Sequence, residues 1–314
     1  MRGKWNLIPA GLALLLCLMM IVAAAFAEDY TVVEEKDPAD NALPIDFSPG
    51  MPLNQENFIS EMEYEDPTIK VVIRQYSVER RYDYWIADIE IADASQLRTV
   101  SADGFDSDGL GPPTIMAEYM NAVLAINGDY FSYKGHDFVI RQGITYLDHL
   151  NATRDILVID EDGDFHGFIS PDRGEIGDTV DGKRIINAFS FGPLLINEGK
   201  IRRNGYSEGM AKDEKSQRMA ICQIDHLKYR VVCCGPYNGE ADRAKGMSVV
   251  DFQELIAGMP DVKIAYNLDG GDSTFLIMNG KKLNFPDNVN ARDGIRNEGL
   301  ADIIYFASAY SEEP

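Results

Sequence analysis

The chain has 314 residues, with 29 basic against 51 acidic side chains and a formal net charge of −22. That balance repels nucleic acid and anionic membrane surfaces, so neither is an expected partner, although arginines gathered locally can still hold an anion. Of four cysteines one, Cys17, lies in the N-terminal apolar run expected to be removed, and the remaining three do not make a disulfide framework; four histidines without Cys/His zinc spacing argue against a structural zinc site.

At the N-terminus Arg2 and Lys4 precede an apolar run from Leu7 to Phe26, which ends in Ala25-Phe26-Ala27 before Glu28-Asp29. A positive start, an apolar centre and a small-x-small exit predict a signal peptide over residues 1–27. The run is nearly long enough to span a bilayer. The Ala-Phe-Ala exit favours cleavage over a retained anchor, so the expected location is secreted or cell-surface, without stable membrane insertion. Cys17 follows Leu16 rather than a small residue, which argues against lipid attachment.

Residues 28–66 are acidic and punctuated by Pro38, Pro44, Pro49 and Pro52, and Pro67 follows them, with no sustained apolar period. They read as an extended strap or linker. Residues 67–314 are long enough for one well-buried core and form the expected single catalytic domain.

Strand-like segments dominate that domain. Ile69 to Ile73, Tyr84 to Ile91, Ile156 to Ile159 and Phe165 to Ile169 are rich in β-branched and aromatic residues, and each closes on a turn signal. The link Asp160-Glu161-Asp162-Gly163-Asp164 has acids at alternate positions, as a calcium loop does. Phe165 stands where an EF-hand needs its glycine, so a plain hairpin turn is expected. Met219 to Asp225 and Tyr229 to Cys234 predict a second hairpin, which leaves open a disulfide between Cys222 and Cys233 or buried free thiols. Phe275 to Met278 and Lys281 to Leu283 flank Asn279-Gly280, the signal of a type I′ turn.

Two helices are expected. Pro113 opens one that runs to about Asn121. Ser248 caps the other, with Asp251 three residues on and an apolar face of Val249, Phe252, Leu255, Ile256 and Met259 before Pro260 stops it. Strands and few helices without a βαβ rhythm predict an α+β (mixed α/β) fold with a large mixed or antiparallel sheet.

Two apolar strands run into similar polar loops. Ala122 to Ile126 leads into Asn127-Gly128-Asp129-Tyr130-Phe131, and Val262 to Leu268 into Asp269-Gly270-Gly271-Asp272-Ser273-Thr274. Glycines there let the backbone approach a ligand, and carboxylates fixed at strand ends suit acid, base or nucleophilic work. Asn-Gly and Asp-Gly are also common turn dipeptides, which is the plainer reading of the first loop. Two glycines, two acids and two hydroxyls exceed what a turn needs and favour function for the second. Ser190 to Ile196 supplies another glycine-bearing apolar edge. Arg218, Arg243, Arg292 and Arg296 are the basic residues near these loops, and Arg218 immediately precedes a strand.

The order Asn127-Gly128-Asp129-Tyr130-Phe131, Phe191-Gly192-Pro193, Arg218-Met219-Ala220-Ile221, Gly246-Met247-Ser248 and Asn267-Leu268-Asp269-Gly270-Gly271 resembles the phosphodiester glycosidase family over roughly Ala122 to Phe306. Asp272 stands where the family usually has glycine, and Asp129 where it often does, so this chain carries two added carboxylates. The resemblance implies a secreted glycoside hydrolase that cleaves a glycosyl-1-phosphodiester at the anomeric carbon, with a carbohydrate or sugar-phosphodiester substrate and a context of exopolysaccharide or surface glycans. It implies Asp269 as the carboxylate facing the anomeric centre, with Asp129, Asp272 and Glu240 as candidates for the second catalytic role. Arg218 and Arg296 become candidate phosphate clamps, and Asn127, Gly128, Gly270, Gly271, Ser273 and Thr274 candidate substrate-binding positions. No cofactor is required by this reading. A divalent cation, calcium or magnesium, held by Asp129, Asp269 and Asp272 would instead serve a phosphodiesterase attacking phosphorus. A non-catalytic carbohydrate-binding module, with Tyr130, Phe131 and Tyr133 stacking on sugars, is the third reading.

Overall fold

A computed structural model describes residues 42–132, 138–150, 154–172, 174–202, 213–237, 246–284 and 299–311. The expected signal peptide lies outside the described residues, as does the strap before Ala42. Among the described residues no helix is long and apolar enough to cross a membrane.

The β content is organised as three antiparallel sheets rather than one. The nine-stranded sheet runs Phe58–Ser60, Glu63–Glu65, Ile69–Val78, Tyr82–Ile91, Lys228–Pro236, Arg218–Asp225, Ile264–Asn267, Leu194–Asn197 and Lys200–Ile201. The five-stranded sheet runs Lys281–Lys282, Leu276–Met278, Ala122–Asn127, Asp302–Ala307 and Leu97–Ser101. The six-stranded sheet is built on Ile156–Asp160, Lys183–Phe189 and Phe138–Arg141. Every described strand pairing is antiparallel, which sharpens the expected mixed or antiparallel sheet to the antiparallel case.

Alternation of side chains assigns each face of the large sheet to a different core. Ala220, Cys222, Val232 and Cys234 face the helix Val249–Ala257, against Phe252 and Ile256. Met219, Ile221, Val231 and Cys233 point the other way, toward Val123, Leu124, Ile304 and Phe306 of the five-stranded sheet. Cys222 and Cys233 therefore lie on opposite faces. All three described cysteines are free and buried, with burial pushing the Cys222 thiol up to about 12.

Both helices form where expected and for the expected reasons. Pro113 opens the helix Pro113–Tyr119, whose Ala117, with the capping Met120, packs on the outer face of the five-stranded sheet. The Ser248 hydroxyl accepts the Asp251 N–H at 3.0 Å to cap the second helix. The Asp160–Asp164 link is a hairpin turn, with Phe165 registered against Ile159. At Asn279-Gly280 the φ values of 49° and 70° are those of a type I′ turn.

The described part of the strap is tied down. The buried Arg98 guanidinium donates to the carbonyls of Pro44, Asp46 and Ser48 at 2.8, 2.9 and 3.1 Å. A Cβ on Gly50 would stand 2.5 Å from the Ala307 Cβ, so the strap lies directly on that strand. Phe58–Ser60 and Glu63–Glu65 pair into the large sheet, which thus begins before residue 67.

Candidate active site

Strand ends from all three sheets converge on the two loops singled out in the sequence. Asn127, the last residue of Ala122–Asn127, is buried and works as a clamp. Its Nδ2 donates to the Asp269 carbonyl at 2.9 Å, and its Oδ1 accepts the Phe275 N–H at 3.2 Å. One side chain thereby fixes the second loop to the end of the first. Asn267 has the same role at the end of Ile264–Asn267, donating through Nδ2 to the Gly192 carbonyl at 2.9 Å.

Both loops need their glycines. A Cβ on Gly128 would lie 2.1 Å from an oxygen of Asp302, and the Gly128 N–H donates to the Asp302 carbonyl at 3.2 Å. A Cβ on Gly270 would lie 2.7 Å from the Gln217 carbonyl, which also accepts the Gly271 N–H at 3.0 Å. The Asp269 loop is thus pressed against the residues that lead into Arg218–Asp225.

The acids separate into two layers. Asp269 and Asp272 are half-buried, and the Gly270 N–H donates to an Asp269 carboxylate oxygen at 2.8 Å. Asp129 is fully buried: one oxygen accepts from Arg141 at 2.7 Å and the other from the Ser190 N–H at 2.9 Å. Arg141 also reaches Asp302 at 3.4 Å, so one guanidinium stands between two buried carboxylates. Its flat face lies 4.2 Å from the Phe189 ring centroid. Two acids and one base leave an excess negative charge with no water to solvate it. Burial therefore raises the Asp302 carboxyl to about 7; Arg141 opposes the rise, and the charges of Asp129 and Asp269 add to it.

Tyr130, next to Asp129, adopts φ 57°, a backbone conformation that non-glycine residues reach only when their surroundings enforce it. Arg218 is partly buried and its guanidinium braces the backbone, donating to Met247 and Glu214 carbonyls at 3.2 and 2.7 Å. Burial lowers its pKa, the direction in which loss of water always pushes a cation. Thr274 and Ser273 are buried beneath the loop, with the Thr274 carbonyl held by Asn284 at 2.8 Å. Glu240, Arg243, Arg292, Arg296 and Tyr133 lie outside the described residues. Among the described residues no group of three or more His, Cys, Asp or Glu side chains is arranged to hold a metal ion.

Sequence reasoning missed Arg141 and Asp302. Each had a signal, a lone charge at the end of an otherwise apolar strand, in Phe138–Arg141 and Asp302–Ala307.

The sequence profile of the phosphodiester glycosidase family matches residues 120–305. This chain belongs to that family. The matched span contains both loops, Arg141, Arg218 and Asp302. No curated protein sequence matches the chain. The phosphodiester glycosidase fold is shared with the catalytic domain of zebrafish N-acetylglucosamine-1-phosphodiester alpha-N-acetylglucosaminidase, described as auto-inhibited by its pro-peptide. That likeness has a TM-score of 0.60 at 14% identity and covers 86% of this chain and 98% of that one. A hypothetical protein from Synechocystis aligns at 16% identity and TM-score 0.46, over 76% of this chain and 62% of that one. A protein described as exported, from Burkholderia pseudomallei, aligns at 11% and 0.48, over 72% and 74%.

Proposed function

We propose that this protein is an exported hydrolase that cleaves a glycosyl-1-phosphodiester at its anomeric carbon, on surface or extracellular glycans. The observation that carries the reading is the pinned Asp269: a half-buried carboxylate at a strand end, with its main-chain carbonyl held by Asn127 and an oxygen held by Gly270 N–H. A carboxylate so fixed is oriented before substrate arrives, which is the condition for effective acid, base or nucleophilic action.

In the reaction the C1–O bond breaks, a water oxygen ends on C1, and the bonding pair leaves with the phosphate. The leaving group is a phosphate monoester with a second ionisation near pH ~6, so it departs far more readily than a sugar alkoxide. Holding its charge matters more than protonating it. Arg218, whose Cα lies beside Gly270, is our candidate for that charge. Asp269 faces the anomeric centre, and Asp272, the other half-buried acid of the loop, takes the second role ahead of the buried Asp129.

Hydrolysis in isotopically labelled water tests the bond that breaks. Label in the released sugar supports the glycosidase; label in the phosphate sinks it and favours attack on phosphorus. Asp269→Asn should lower kcat by roughly 10³-fold with the unfolding midpoint unchanged, because it removes the charge and keeps the shape. Full activity in that variant removes Asp269 from the mechanism. If the wild type turns over no sugar-1-phosphodiester, the carbohydrate-binding reading prevails.

A further inference from the structure

Asp302 carries a buried charge that its packing does not require. It opens the strand Asp302–Ala307, registered opposite the uncharged Ser101, and its carbonyl accepts the Gly128 N–H at 3.2 Å. Its carboxylate lies so close under Gly128 that a Cβ there would stand 2.1, 2.3 and 2.4 Å from Oδ1, Cγ and Oδ2. Among the described residues the carboxylate accepts one hydrogen bond, from Arg141 at 3.4 Å, and its side chain is 1% exposed. An asparagine of the same outline would fill the place without burying a charge.

The same guanidinium carries the effect of that charge to the Asp269 loop. Arg141 donates to Asp129 at 2.7 Å, to the Ile140 carbonyl at 3.1 Å and to the Ala188 carbonyl, with the Phe189 and Phe105 ring centres 4.2 and 5.5 Å from its central carbon. A charged Asp302 draws the guanidinium toward its own strand, against the pull of Asp129 on the loop side. A neutral Asp302 leaves the pull of Asp129 unopposed. Asp129 joins through Gly128 to Asn127, whose amide donates to the Gly128 and Asp269 carbonyls at 3.1 and 2.9 Å. A shift of Arg141 thus reaches Asp269 through two residues and one hydrogen bond. The charged side chains that bear on Asp302 are Arg141 from the end of Phe138–Arg141, Asp129 from the first loop and Asp269 from the second.

We propose that Asp302 is a positioning residue of the site: its charge shares Arg141 with Asp129 and so sets the loop that carries Asp269, a placement kept at a cost in stability. The proposal rests on the glycosidase reading above and adds to it a residue that touches no substrate.

The test compares wild type with Asp302→Asn on the glycerol diester of N-acetylglucosamine 1-phosphate across neutral pH. The variant should lose about tenfold in kcat with KM within about twofold. In wild type kcat should rise through a pH of about 7, where Asp302 gives up its proton, and the variant should lack that rise. Stability runs the other way over the same range, so a merely structural role predicts a variant at least as active as wild type. An unchanged kcat, a loss confined to KM, or a rise near neutrality that survives in the variant overturns the proposal. If the wild type does not cleave the diester, the glycosidase reading fails and amide NMR decides the link separately. The Gly128 and Gly270 N–H signals should then titrate together near neutral pH in wild type and not in Asp302→Asn. A Gly270 signal that stays still in wild type, or moves equally in the variant, overturns it.

Discussion

Two acidic clusters in this protein have nearly the same composition and opposite behaviour. In the turn between Ile156–Asp160 and Phe165–Phe168, Lys183 lies 3.4, 3.1 and 3.4 Å from Asp160, Asp162 and Asp164, and its side chain is 35% exposed. Under the Asp269 loop, Arg141 lies 2.7 and 3.4 Å from Asp129 and Asp302, and none of the three reaches solvent beyond 1%. Burial alone would raise the Asp160 pKa, but the His166 hydrogen bond, two turn N–H groups and Lys183 overcome it and leave that pKa lowered. At Asp302 burial wins. A shared cation offsets shared negative charge only where water or backbone N–H groups supply the remainder.

The comparison breaks most sharply at Arg141. Arg141→Met keeps much of the side-chain volume and leaves two buried carboxylates without a cation. Such a loss costs about 3–5 kcal/mol, and urea unfolding should show it as a large fall in midpoint. Arg141→Lys keeps the charge but loses the fork that reaches both acids, so it should fall between wild type and Met. A change below about 1 kcal/mol in the Met variant would mean that the buried unit is not held by this ion pair.

Next in size is Asp302→Asn, which imitates a protonated carboxyl. A folded pKa of about 7, above the unfolded value near ~3.9, means that the folded state holds the proton more tightly. The associated stability is present at low pH and is lost as pH rises toward and through 7. Wild type should therefore lose ground to the Asn variant between about pH 4 and 7, by an amount on the order of a few kcal/mol. Parallel thermal melts across that range check it. Curves that keep a constant separation would show that Asp302 does not titrate there.

These two residues also mark the limit of what the sequence conveyed. Local signals sufficed for Ser248 as a helix cap, for Asn279-Gly280 as a turn and for Phe165 as the residue that spoils a calcium loop, because each depends on a few neighbours. The loops at Asn127 and Asp269 were found because glycines and acids cluster within six residues. Arg141 and Asp302 are 161 positions apart, and their contact exists only because Phe138–Arg141 and Asp302–Ala307 end at the same place. For the same reason one sheet was expected where three form: alternation gives each strand two faces without saying what covers them. Asp129 illustrates the point for function. In sequence it was a candidate for the second catalytic role beside Asp269, and only the fold shows it buried against Arg141.

The smallest expected effect is at the Lys183 cluster, where Asp162, Asp164 and Lys183 meet solvent although Asp160 is buried. Lys183→Gln removes the cation between three aspartates, yet water and the hydrogen bonds of the turn remain to hold them. Asp160 still accepts the N–H groups of Asp162 and Asp164 at 2.9 and 3.0 Å. The loss in urea unfolding should stay below about 1 kcal/mol and shrink further in high salt. The stability that Asp160 contributes should run with pH opposite to that of Asp302. Asp160, with its lowered folded pKa, contributes stability above the unfolded value near ~3.9 and loses it as pH falls, so the gap between wild type and Lys183→Gln should close on acidification. The Asp302→Asn gap closes in the same direction but opens as the buried carboxyl loses its proton, with the variant as the more stable partner. A Lys183→Gln gap that survives at 1 M salt or widens toward pH 3 would put the exposed turn in the same electrostatic class as the buried unit, and the contrast between the two clusters would then fail.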